Sequence, residues 1–206
     1  VTFVQRRLFA ALAIALVLLG MAFLVTRGGD ERDAAPQSPR DVRGSAAWAR
    51  AHYGNPDAKN YRDRHIIQIE FLGTILFVNE KASPHFLRLE RIFEARAPEY
   101  AATVAGGTPD DWSYGNRAVR GETTKSNHAF GLAIDINALT NVLGTAGDMP
   151  VEVVEEWERE GGAWGGRFSR PDPMHFETHL TPAEIRARYN PDGTVTDEYL
   201  QELVGG

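Results

Sequence analysis

The apolar residues of this chain change their period several times, and each change marks an element. The first run has no polar face at all: residues 8–25 (LFAALAIALVLLGMAFLV) carry no charge and follow Arg6 and Arg7. As a helix this run would extend about 27 Å, close to the hydrocarbon thickness of a bilayer. It is expected to be a transmembrane helix within an anchor over 1–27. Its basic N-terminal flank would face the cytoplasm and the rest of the chain would lie outside. A cleaved signal peptide is the rival reading and delivers the chain to the same side. Against it, the run exceeds the roughly 7–15 residues of a signal-peptide core, and Asp33-Ala34-Ala35 is a poor cleavage site. Residues 28–63 are rich in Asp, Arg, Ala, Pro, Ser and Gly and read as a flexible tether, with room for one short helix over 46–53.

Alternation begins at residue 65. Residues 65–71 (HIIQIEF) and 74–78 (TILFV), separated by a turn at Gly73, predict a β-hairpin. Over 83–97 the spacing lengthens: Phe86, Leu89, Ile92 and Phe93 recur every three to four residues. Ser83 and Pro84 would serve as N-cap and first-turn proline of an amphipathic helix. Residues 132–137 alternate as a strand, and residues 151–160 predict a helix closed by Gly161-Gly162. Strands and helices are interspersed with no internal repeat. The expected fold is therefore α+β, a small antiparallel sheet flanked by helices in one domain over 64–190, with a polar, peripheral tail over 191–206.

Charge and composition narrow the chemistry. Among 206 residues, 22 Lys and Arg stand against 28 Asp and Glu, a formal net charge of −6, so there is no basic excess to hold nucleic acid. With no cysteine, neither a disulfide framework nor a thiolate metal site exists, and a metal would be held by histidine and carboxylate.

Two stretches concentrate the reactive side chains: Ser126-Asn127-His128-Ala129-Phe130-Gly131-Leu132-Ala133-Ile134-Asp135, and Trp164-Gly165-Gly166 followed by Asp172-Pro173-Met174-His175-Phe176-Glu177. On a strand Asp135 points away from Ile134 and Ile136, aiming a carboxylate at one face while the isoleucines enter the core. His128 precedes it across Gly131, which lets the chain bend back so that the two side chains converge. With His175 they form two imidazoles and one carboxylate, a three-ligand set for catalytic zinc with the fourth position open to water. Asp172 is placed to act as the base on that water.

The pattern S-x-H-x-x-G-x-A-x-D followed by acid-x-x-His resembles the zinc D-alanyl-D-alanine carboxypeptidase family of peptidoglycan peptidases, whose fold is shared with the hedgehog signalling domain. The resemblance covers residues 65–180. It implies that His128, Asp135 and His175 bind Zn2+ and that Asp172 is the catalytic acid and base. It also implies that Arg117, eleven positions before His128, steadies the oxygen that becomes negative during attack, with Arg120 as the substitute if the loop register differs. Ser126 and Trp164 also match family positions, the serine supporting the site or touching substrate and the tryptophan walling the cleft. The implied substrate is the stem peptide of peptidoglycan, outside the cell membrane. Asp172 departs from the carboxypeptidases that use Glu as the base and is similar to L-alanyl-D-glutamate endopeptidases, which leaves the bond open. A non-catalytic zinc-containing wall-binding module and a nonspecific exported protease are the remaining alternatives.

His52, His65, His85 and His179 lack a partner motif and read as structural or surface residues. Glu177 reads as either a support for the site or a salt-bridge residue. Phe71, Phe77, Phe86 and Phe93 read as core, and Asp110-Asp111 as a solvated loop.

Overall fold

A computed structural model describes residues 42–105 and 112–205, so the expected anchor at 1–27 and the Asp110-Asp111 loop lie outside the described residues. No helix among the described residues is long and apolar enough to cross a membrane.

Residues 42–63 depart from the expectation of a tether. Helix α1 (Ala46–Tyr53) begins at Ser45, whose side chain accepts from the Trp48 amide, and buries Trp48, Ala49 and Tyr53 in the core. The Tyr53 hydroxyl donates to the Leu180 carbonyl at 2.6 Å. Three large apolar or aromatic side chains in this stretch (Trp48, Tyr53 and, in α2 (Tyr61–His65), Tyr61) are each at most 3% exposed. Removing that much surface from water is what turns a polar-looking linker into part of the domain.

Strands β1 (Ile66–Phe71) and β2 (Thr74–Asn79) form the expected hairpin, in antiparallel register from Ile66↔Asn79 to Phe71↔Thr74. Leu72 and Gly73 both have positive φ, at 46° and 78°, and glycine at the second position relieves the strain of such a turn. The alternation buries Leu76 and Val78 but turns Phe77 outward, 38% exposed, which corrects its assignment to the core. Helix α3 (Ser83–Arg96) buries Phe86, Leu89, Ile92 and Phe93 as the spacing required. Its N-cap position is taken by Ala82, not Ser83; the Ser83 hydroxyl instead donates to the Glu80 carbonyl at 2.9 Å. Helix α4 (Pro98–Ala105) follows directly.

The second sheet has the order β3-β5-β4, antiparallel throughout, from β3 (Ala133–Asp135), β4 (Gly162–Trp164) and β5 (His175–Thr178). Every residue of the central strand β5 is buried, polar ones included. Helix α5 (Val151–Arg159) lays Val153, Val154 and Trp157 against the core, where they join Phe86, Phe93, Ile134 and Phe176. Helix α6 (Pro182–Arg188) starts with a capping box in which Thr181 and Glu184 satisfy each other's backbone amides. The tail forms α7 (Asp197–Gly205), which buries no residue but places the Tyr199 ring 6.1 Å from Tyr189, edge-on, and under the Arg188 guanidinium. The mixed helical and antiparallel architecture is the α+β class expected.

Candidate metal and peptidase site

The register of the second sheet builds the site. Asp135 pairs directly with His175 across β3 and β5, so two side chains forty positions apart leave adjacent strands side by side. His128 arrives from the 3-10 turn Asn127–Phe130, which Ser126 caps by accepting the His128 amide at 3.3 Å. Gly131 ends that turn with φ at 70° and donates to the His128 carbonyl at 3.1 Å. A Cβ at Gly131 would lie 2.6 Å from the Asn79 backbone nitrogen, so the bend that returns His128 over Asp135 needs glycine both for conformation and for space.

The three side chains meet with nearly equal separations. His128 Nε2 is 3.2 Å from Asp135 Oδ1 and 3.2 Å from His175 Nδ1, and His175 Nδ1 is 3.1 Å from Asp135 Oδ1. All three are at most 7% exposed. Ligands of a tetrahedral zinc ion at about 2.0–2.1 Å stand about 3.3 Å from one another, so this triangle has close to the size such an ion requires. The outer nitrogens are already engaged: His128 Nδ1 donates to the Ser113 carbonyl at 2.7 Å, and His175 Nε2 donates to Glu177 Oε2 at 3.0 Å. Both imidazoles therefore turn a lone pair toward Asp135 Oδ1, and three acceptors face one point. Such a donor set calls for a cation, and the residues fit a metal ion.

The electrostatics say the same in the metal-free chain. Burial alone would push the His175 ring down, yet Asp135 and Glu177 override it and hold it up at about 10, a proton standing where the cation would be. Burial would raise Asp135, but its contacts with the His128 and His175 rings outweigh it and keep the carboxyl well below the usual range. Among the described residues this is the one cluster of three side chains able to hold a metal ion.

Asp172 is tied to the same strand end. Its carbonyl accepts from the His175 amide at 3.0 Å and its own amide donates to the Gly165 carbonyl at 2.9 Å. Its Oδ1 is buried without a hydrogen-bond partner, and burial, aided by the negative charge of Asp135, outweighs the opposing fields of His175, His128 and Arg117 and leaves its pKa raised. A carboxyl with a raised pKa beside a metal cluster is suited to proton transfer. Arg117 is exposed on the loop before the turn, where its charge reaches Asp172; Arg120 is exposed three residues on.

Trp164 lies in β4 opposite Phe176 and donates from Nε1 to the Pro173 carbonyl at 2.8 Å. The glycines after it have a steric reason. A Cβ at Gly166 would penetrate the Trp164 ring, and one at Gly165 would lie 2.5 Å from the Asp172 carbonyl oxygen and 2.9 Å from His175 Cβ. Trp164-Gly165-Gly166 is thus the packing surface that seats Asp172 and His175. Ser126 acts here through its cap on the His128 amide.

Residues 120–178 match the D-alanyl-D-alanine carboxypeptidase family of peptidases. The match takes in Ser126, His128, Asp135, Trp164, Asp172 and His175, the positions on which the resemblance was read; Arg117 lies three residues ahead of it. No curated protein and no solved structure matches the chain. The buried His-Asp-His cluster lies inside the stretch that matches the peptidase family.

Sequence reasoning missed three contributors. Ser113 orients His128 through a backbone carbonyl, a role carried by no side chain; it is brought there by the bridge between Trp112 and Asp135. Glu177, left between two readings, spans His175 and His179, since His179 Nε2 donates to Glu177 Oε1 at 2.6 Å. Asn127, the neighbour of His128, donates to the same carboxylate at 2.7 Å. The alternating His175-x-Glu177-x-His179 pattern on a strand was the available signal, because residues two apart share a face. His85 is structural as expected: fully buried, held well below its ordinary pKa by desolvation, and stacked 4.0 Å from Trp157.

Proposed function

We propose that this chain is a zinc-dependent peptidase that hydrolyses amide bonds in peptidoglycan stem peptides, acting as a D,D-carboxypeptidase. The carrying observation is the triangle of three acceptors, 3.1–3.2 Å on edge, with the Asp172 carboxyl beside it. His128, Asp135 and His175 would hold the ion, which supplies Lewis acidity toward a water and toward the scissile carbonyl. Asp172 accepts the proton of the attacking water as the new C–O bond forms, and returns it to the nitrogen as the C–N bond breaks. Arg117 offers a cation to the carbonyl oxygen as it gains negative charge; a preorganised donor of this kind contributes about 3–4 kcal/mol in comparable sites. Trp164 walls the cleft on the Pro173 side. The apolar run at 8–25 supports placing the domain outside the cell membrane, on the side where peptidoglycan lies.

An aspartate in the base position favours a second reading, cleavage between L-alanine and D-glutamate. Mass spectrometry of defined muropeptides incubated with the zinc-loaded protein separates the two. Loss of a terminal D-alanine supports the carboxypeptidase, cleavage after L-alanine supports the endopeptidase, and intact muropeptides alongside full zinc occupancy refute both.

A further inference from the structure

A second layer of contacts lies behind the cluster and connects it to residues 43 and 44. Glu177 is 6% exposed and each of its oxygens is engaged: Oε2 by His175 at 3.0 Å and Asn127 at 2.7 Å, Oε1 by His179 at 2.6 Å. Residues 43 and 44 cross the outside of this layer. The Gly44 carbonyl accepts from Asn127 Nδ2 at 2.9 Å, so one amide group joins the Gly44 backbone to Glu177. Arg43 donates from Nη1 to the His179 carbonyl at 2.8 Å and forms a two-pronged pair with Glu184, at 2.9 and 2.7 Å. Gly44 has φ at 76°, and a Cβ there would fall 2.1 Å from His179 Nε2, the atom that donates to Glu177. The backbone of Gly44 thus lies directly against the His179 ring.

We infer that Arg43 and Gly44 form a strap that sets metal affinity through His179, Asn127 and Glu177, with Glu177 the positioning residue for His175. The inference rests on the metal reading of the cluster. A carboxylate on the outer nitrogen of a metal-binding imidazole fixes the ring's orientation and raises its basicity, and losing such a partner weakens binding about 10–100-fold. Glu177 is itself oriented from two sides, and both of those sides are held by the strap. A change at residue 44, which touches no ligand, therefore reaches the ion through one ring and one carboxylate.

The test is zinc affinity of the full chain, measured by competition with a chromophoric chelator. Glu177→Gln, His179→Gln and Gly44→Ala should each weaken zinc by about 10–100-fold. Arg43→Ala, an exposed change that leaves the core intact, should weaken it in the same direction. Gly193→Ala serves as the control: that glycine also has positive φ and would bring a Cβ within 2.6 Å of the Arg88 backbone, far along the chain from the strap, so it strains the fold without touching this layer. It should leave zinc affinity unchanged. Reciprocally, zinc should slow hydrogen exchange of the strap amides in the wild type and fail to do so in Glu177→Gln. Wild-type zinc affinity in folded Glu177→Gln and Arg43→Ala overturns the strap while leaving the metal site standing. A wild-type chain that takes up no zinc, or a His128→Ala chain that binds it normally, overturns the metal reading and the strap with it.

Discussion

Stripping the metal and raising the pH should destabilise this protein in a way that restoring zinc abolishes. In the metal-free chain the three facing acceptors are reconciled by a proton on His175, whose pKa Asp135 and Glu177 hold up at about 10 despite burial. Unfolded histidine titrates near 6.5. A group raised in the folded state contributes stability that is complete below the unfolded value and is lost as pH rises toward the folded value. The window here runs from about 6.5 to 10. Between pH 6 and pH 8 the folded ring keeps its proton while the unfolded one gives it up, and the difference is about 2 kcal/mol. For a domain of this size that corresponds to a fall in Tm of about 4–8 °C. The assay is thermal unfolding by circular dichroism, in chelator and in excess zinc at both pH values, with His175→Gln as the background to subtract. Zinc replaces the proton, so the loaded chain should not lose stability over this interval. Equal Tm values at pH 6 and 8 in chelator, after subtraction, or a parallel fall in the zinc-loaded chain, would refute the picture of three acceptors sharing one proton.

Asp172→Asn should retain stoichiometric zinc by elemental analysis yet lose about 10²–10⁴-fold in turnover, because the amide cannot carry the proton; surviving activity would move the base elsewhere. His128→Ala and Asp135→Ala should each lose zinc and activity together, and normal metal content in either removes that residue from the ligand set. Gly131→Ala should destabilise by about 1–3 kcal/mol in denaturant titration and lower zinc affinity as well, since its Cβ would meet the Asn79 backbone and displace the turn that carries His128. Trp157→Ala, which empties the space beneath His85 and beside Phe86, should cost about 3–5 kcal/mol.

Local pattern determined much of this protein. The hairpin, α3 and α5 follow from apolar spacing, and the three residues of the candidate metal site were singled out by residue type and separation along the chain. That is so because strand alternation and helix period are properties of adjacent residues, and because a metal site of this kind would draw on few side chains. Tertiary structure alone decided the rest. Phe77 carries a core-type side chain, yet the pleat of β2 sends it outward. Residues 42–63 have a linker's composition, and only contact with Leu180 and the core shows that Trp48 and Tyr53 are buried. Ser113 enters the site by its carbonyl, which every residue possesses and no sequence pattern distinguishes. The equal separations among His128, Asp135 and His175 depend on the cross-strand register of β3 with β5, a pairing between segments forty residues apart. Spacing along the chain names which atoms can bind an ion; the register of strands and the turns between them set the distances at which they do.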